Sequence, residues 1–99
     1  MPSYFLTNKA VEDLRDIWNY TCNRWSEEQA DRYYLALADE FSAIVKATSS
    51  GRSYAGISRQ LRGTKVNSHV VFYRSLEGGL VEITRILHSR MDLKSRIAE

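Results

Sequence analysis

Cys22 is the only cysteine among the 99 residues of this chain. One thiol excludes an internal disulfide framework, a zinc knuckle and a C-x-x-C redox pair, and it suits a reducing cytoplasm. No apolar run approaches the roughly 18 to 20 residues that cross a bilayer, so no membrane partner is expected. The opening stretch MPSYFLTNKAVEDL lacks a basic segment followed by an apolar one, and no export signal is visible. There is no internal repeat, no low-complexity segment, no Gly-rich phosphate loop and no carboxylate cluster suited to a metal. Neither metal nor cofactor is expected. Aromatic side chains stop at Tyr73, so the tail RMDLKSRIAE has none.

What is present is ordinary globular material, 43% hydrophobic and 26% charged, neither disordered nor membranous in composition. The length predicts one domain over residues 1–99, near the low end of the size at which one hydrophobic core suffices. The net charge of +2 is unevenly spread. Residues 1–49 carry five basic against eight acidic side chains, and residues 50–99 carry nine against four. A basic C-terminal half favours an anionic partner, either nucleic acid or an acidic protein segment, unless two solvated surfaces simply differ.

Periodicity supplies the elements. Ser3-Tyr4-Phe5-Leu6 is short, aromatic and extended in character, and Thr7 or Asn8 then offers a helix N-cap. Val11, Leu14, Ile17, Trp18, Cys22 and Trp25 recur at spacings of three and four, one apolar stripe on a helix. Both tryptophans and Cys22 are thereby expected to pack. Ser26-Glu27-Glu28-Gln29 has the form of a capping box and opens a second helix. Its stripe is Ala30, Tyr33, Tyr34, Leu37, Phe41, Ile44 and Val45, over roughly 30 Å at 1.5 Å per residue. The tight join at Trp25-Ser26 predicts an antiparallel helical hairpin. Residues 49–60 read as a loop, Leu61 to Val66 as a weak strand, and His69 to Ser75 as a strong one. Leu76-Glu77-Gly78-Gly79 is a turn whose glycines admit positive φ, and Leu80 to Leu87 returns as the next strand. A polar tail with about one helical turn follows. The order β-α-α-β-β-β is an α+β layout, a helical hairpin on one face of a small, mainly antiparallel sheet. The opposite face, or the groove beside the last strand, is left open.

Strand parity raises a difficulty. Val81, Ile83, Arg85 and Leu87 share one face unless a bulge intervenes, which places a guanidinium among apolar residues. A buried guanidinium needs a partner, and Asp16, Asp39 and Glu40 are candidates. Arg85 is then either a structural cation or an anion binder.

The combination of YFLTNKAVEDLRDIWNYT, RWSEEQADRYYLAL and HVVFYRSLEGGLVEITRILHSRMDL resembles the ParE branch of the ParE/RelE toxin superfamily. The resemblance rests on Leu6, Thr7, Ala10, Asp13, Leu14 and Ile17, on Arg24, Trp25, Gln29 and Ala30, and on two strand motifs. Those strands contribute His69, Val70, Phe72, Tyr73 and Arg74, then Val81, Ile83, Arg85, Leu87 and His88. It runs from about residue 4 to residue 93, and the strand motifs are its most specific part. It implies the RelE/ParE-like fold and a bacterial toxin paired with a ParD-like antitoxin. ParE relatives are described as inhibiting DNA gyrase by binding. RelE relatives cleave messenger RNA on the ribosome, which makes endoribonuclease activity the alternative; an inactive module that only binds antitoxin is a third.

Metal-free RNA cleavage needs a base, an acid and cations around the phosphorane. His88 with Arg85, Arg90 and Arg62 are candidates for such a set, with His69 and Tyr73 nearby if the strands pair. The RelE-type nucleases are thought to use an aromatic close behind the last strand, and here none follows Tyr73. The favoured reading is therefore a non-enzymatic toxin with no catalytic residues, touching nucleic acid only indirectly. Arg85, His88, Arg90, Met91, Arg62 and Arg74 are its target-binding candidates, and Trp18 and Tyr34 its antitoxin-binding candidates. His88 has a simpler alternative, a hydrogen bond to backbone or to Asp92.

Overall fold

The computed structural model describes residues 3–97. Its elements are β1 (Ser3–Leu6), α1 (Asn8–Arg24), α2 (Glu27–Lys46), β2 (Arg52–Ser53), β3 (Arg62–Val66), β4 (His69–Ser75), β5 (Leu80–His88) and α3 (Leu93–Ile97), with a 3₁₀ turn at Glu77–Gly79. The described residues form a five-stranded sheet in the order β1-β5-β4-β3-β2. β1 runs parallel to β5, and the other neighbours are antiparallel.

Local chemistry explains the helix starts. The Thr7 hydroxyl accepts the Ala10 amide at 3.1 Å, and the Ser26 hydroxyl accepts the Gln29 amide at 3.0 Å. Each satisfies a donor that lacks a partner in the first turn. The β4–β5 turn closes through Gly78 and Gly79, at φ of 72° and 79°, a region that costs glycine nothing. Both helices lie on one sheet face. Ala10, Leu37, Phe41 and Ile44 meet Val71, Tyr73, Val81, Ile83 and Ile86 there.

The other face is not open. Leu61, Val70, Phe72 and Leu87 form a second buried cluster, capped by Tyr54 from residues 49–60 and by Leu93 and Ile97 of α3. The expectation of a bare face fails because the tail folds back as a short amphipathic helix instead of trailing into solvent. Residues 49–60 are likewise pinned: the Tyr73 hydroxyl donates to the Thr48 carbonyl at 2.7 Å and accepts the Gly51 amide at 3.1 Å.

The two helical stripes are only partly core. Trp25 is 70% exposed and Val11 41%. Trp25 follows the last residue of α1, where the hairpin has already left the sheet. Tyr34 is exposed, whereas its neighbour Tyr33 is half-buried.

Candidate functional site

The parity difficulty is resolved by a bulge. Phe72 lies opposite Arg85 but Tyr73 lies opposite Ile83, so Thr84 is an extra residue in β5. Val81 and Ile83 face the helices; past the bulge Ile86 takes over that face, and Arg85 and Leu87 turn away. The bulge is held in place by Thr7, whose amide donates to the Ile83 carbonyl and whose hydroxyl donates to the Thr84 carbonyl.

Beyond Ile83, β1 no longer covers β5, and α1 takes its place. Asp13 Oδ2 accepts the Ile86 amide at 3.0 Å and Arg85 Nε at 2.7 Å, while Oδ1 accepts Arg85 Nη2 at 3.0 Å. Arg85 Nη1 donates to the Arg96 carbonyl of α3 at 2.7 Å. Arg85 is 8% exposed. Its partner is therefore Asp13, not Asp16, Asp39 or Glu40. One carboxylate satisfies both an edge amide and a buried cation, and the cation ties α1 and α3 to β5.

A cleft of about 680 Å³ opens beside this pair, between α1 and the end of β5. His88, Arg90 and Met91 line it together with Arg85, as expected from their closeness in sequence. His69 joins them because it pairs directly with His88, their rings in an edge contact at 5.3 Å. The Tyr33 hydroxyl donates to the Val66 carbonyl at 2.9 Å and so accepts from His69 Nδ1 at 2.6 Å, which places the proton of the His69 ring on Nδ1. His88 Nδ1 accepts the Arg90 amide at 3.1 Å. That is the backbone hydrogen bond, while Asp92 bonds to Ser95 and opens α3. Burial, reinforced by the nearby His88 ring, pushes the His69 pKa down, and Asp13 opposes the shift.

The structure separates the remaining candidates. Arg62 lies opposite Tyr73, far along the sheet from the His69–His88 pair, and donates to the Ser49 and Gly51 carbonyls. Arg74 pairs with Glu82 at 3.2 Å and also bonds Ser58 and the Arg59 carbonyl. Tyr73 is core, remote from His88. Sequence reading missed Tyr20, 65% exposed at the cleft rim, and Lys9, Glu12 and Asp16 on its wall. Lys9, Asp13, Asp16 and Tyr20 recur at spacings of three and four, a polar stripe beside the apolar one, and that was the available signal.

Four cations (Lys9, Arg85, Arg90, Arg96) thus face three carboxylates (Glu12, Asp13, Asp16) across apolar Ile17, Ile86 and Met91. Such a surface suits a protein segment of mixed character better than a polyanion. Trp18 and Tyr34 do come together, in a second groove of about 400 Å³ on the outer side of the hairpin with Val11, Leu14 and Arg15. Trp18 Nε1 donates there to Asp31 at 3.0 Å. Among the described residues no helix is long and apolar enough to cross a membrane.

Residues 4–93 match the family described as ParE toxin of type II toxin-antitoxin system, parDE. The chain is 36% identical to Toxin ParE1 of Caulobacter vibrioides over 97 residues, covering 98% of this chain and 99% of that one. It is 31% identical to Toxin ParE of Escherichia coli over 99 residues, covering 100% and 96%. A solved chain from the chromosomal ParDE TA system of P. aeruginosa shares the fold at a TM-score of 0.75 and 19% identity, over 89% of this chain and 96% of that one. With the helical hairpin, the bulged last strand and these relatives agreeing, the chain belongs to the ParE toxin family of type II toxin–antitoxin systems.

Proposed function

We propose that this toxin acts in the cytoplasm by binding DNA gyrase, performs no covalent chemistry, and is neutralised by a ParD-like antitoxin. The observation that carries the target-binding reading is the cleft beside β5. Its rim offers Tyr20, Arg90 and Met91, residue types favoured at protein interfaces, and its wall carries carboxylates that would repel an RNA phosphate. Arg85 supports this surface from behind. The antitoxin reading rests on the outer groove of the hairpin, where Trp18 and Tyr34 present aromatic surface to an apolar helix or extended segment.

The test is supercoiling by purified gyrase with increasing toxin. Supercoiling is expected to fall, and Arg90→Ala with Met91→Ala to relieve the inhibition. Unchanged supercoiling at high micromolar toxin sinks the reading.

Ribosome-dependent RNA cleavage draws support from one observation: Tyr20 brings an aromatic to the cleft that holds His69 and His88. Under that reading messages are cut during translation, and both His88→Ala and Tyr20→Ala stop the cutting. Intact messages during growth arrest remove it.

A further inference from the structure

Between Glu40 and Glu77 the chain has no acidic residue in 36 positions, yet six basic ones: Lys46, Arg52, Arg59, Arg62, Lys65 and Arg74. The fold gathers several of these on one side. Directly paired strand residues share a face, and Arg52 lies opposite Gly63, Gly63 opposite Phe72, and Lys65 opposite Val70. Phe72 and Val70 belong to the cluster that faces away from the helices. Arg59 joins this side, since its carbonyl is bonded to Arg74 opposite Glu82. Lys94 arrives on α3, whose Leu93 and Ile97 pack on the same cluster. Arg52, Arg59, Lys65 and Lys94 are all exposed.

Counter-charge is scarce there. Of the acidic residues in 41–97, Glu82 is paired with Arg74, Asp92 is bonded to Ser95, and Glu77 sits in the 3₁₀ turn. The helical layer has the opposite balance, eight acidic side chains against five basic over residues 8–46. Charge is therefore segregated by layer.

We infer that this outer face of the sheet is a contact surface for the phosphate backbone of duplex DNA. Two features select that partner. A protein interface is anchored by apolar or aromatic residues, and among the described residues no exposed large hydrophobic lies between Leu35 and Leu76. Single-stranded nucleic acid is held by bases stacking on aromatic platforms, and the aromatics of this segment are used internally. Phe72 and Tyr73 are buried, and the Tyr54 ring lies edge-on to Phe72 at 5.0 Å with Arg52 over it. Backbone contact to a regular duplex requires only spaced cations. The molecule measures 38 × 32 × 22 Å, so one copy covers at most about one helical turn of roughly 34 Å.

This surface lies away from the cleft, and its proposal stands whether or not gyrase is the target. The test is fluorescence anisotropy with a labelled duplex of about 20 base pairs, two helical turns. With about three to four phosphates neutralised, the slope of log affinity against log salt is about −3, a loss of about 10²-fold between about 50 and 200 mM salt. The triple variant R52A/R59A/K65A is expected to lose at least about tenfold in affinity at the lower salt and to flatten that slope. Its three side chains are exposed, so an unchanged thermal melt by circular dichroism is expected. No anisotropy change for the unmodified toxin, or equal binding by a folded triple variant, overturns the proposal. So does stronger competition by an RNA of equal length. Supercoiling inhibition, measured separately, reports on the gyrase reading alone.

Discussion

Asp13 and Arg85 stand 72 positions apart in the chain, yet the carboxylate of one grips the guanidinium of the other at 2.7 and 3.0 Å. Both side chains are about nine-tenths buried, at 12% and 10% exposure. Removing the carboxylate alone leaves a buried cation and the Ile86 amide unanswered. Asp13→Ala is therefore expected to cost about 3 to 5 kcal/mol in a urea unfolding series, and Asp13→Leu with Arg85→Met to recover much of that. A single-variant loss below about 1 kcal/mol would mean that water satisfies the pair as well as the fold does.

His69 makes stability depend on pH. Burial and the adjacent His88 ring hold its pKa below the ordinary 6.5, so the unfolded chain takes up a proton before the folded one does. Its contribution is complete above about pH 6.5 and is lost as the pH falls through the depressed folded value. The melting temperature is expected to drop on going from about pH 7 to 5, and less steeply in His69→Gln. A variant with the same pH slope as the parent chain would contradict this assignment.

Gly63 is a packing requirement. A Cβ there would stand 2.8 Å from Tyr54 Cε2 and 3.0 Å from Val70 Cγ1, inside the second cluster. Gly63→Ala is expected to destabilise by about 1 to 3 kcal/mol, readable as a lower urea midpoint, with Gly56→Ala in open space as the comparison.

Trp18 and Tyr34 share the outer groove, so each is expected to matter to the antitoxin and neither to the target. Trp18→Ala and Tyr34→Ala should each weaken binding of a ParD-like peptide by about 2 kcal/mol, roughly 30-fold in a titration. Supercoiling inhibition should survive both. Loss of both activities together would place the two partners on one surface.

Arg62 and Arg74 lie at the far end of the sheet from Arg90 and Met91. Arg90→Ala is expected to lower the potency of gyrase inhibition about tenfold or more, since an arginine at an interface centre contributes about 1 to 2 kcal/mol. Arg62→Ala should act through stability, because its guanidinium holds the Ser49 and Gly51 carbonyls. Equal loss in the two variants, with folding intact, would extend the target surface along the whole sheet.

Several elements were legible in one dimension. Thr7 and Ser26 cap the two helices, the spacings of Leu14, Ile17, Leu37, Phe41 and Ile44 mark the faces that pack, and the glycines at 78 and 79 turn the last hairpin. These signals work because capping, helical period and positive φ depend on residues a few positions apart. They determined the α+β class, the hairpin and the closeness of His88, Arg90 and Met91.

Tertiary structure decided what those patterns could not hold. A bulge adds one residue at Thr84, and parity counted across it assigns Arg85 to the wrong face. Asp13 finds Arg85, Tyr20 reaches the cleft and the tail covers the second cluster only once distant segments meet. Arg62 and Arg74 parted from the cleft for the same reason, because strand register sets position along a sheet. The outer face gathered its cations likewise: composition counts charges, and only the packing of layers says which of them look the same way.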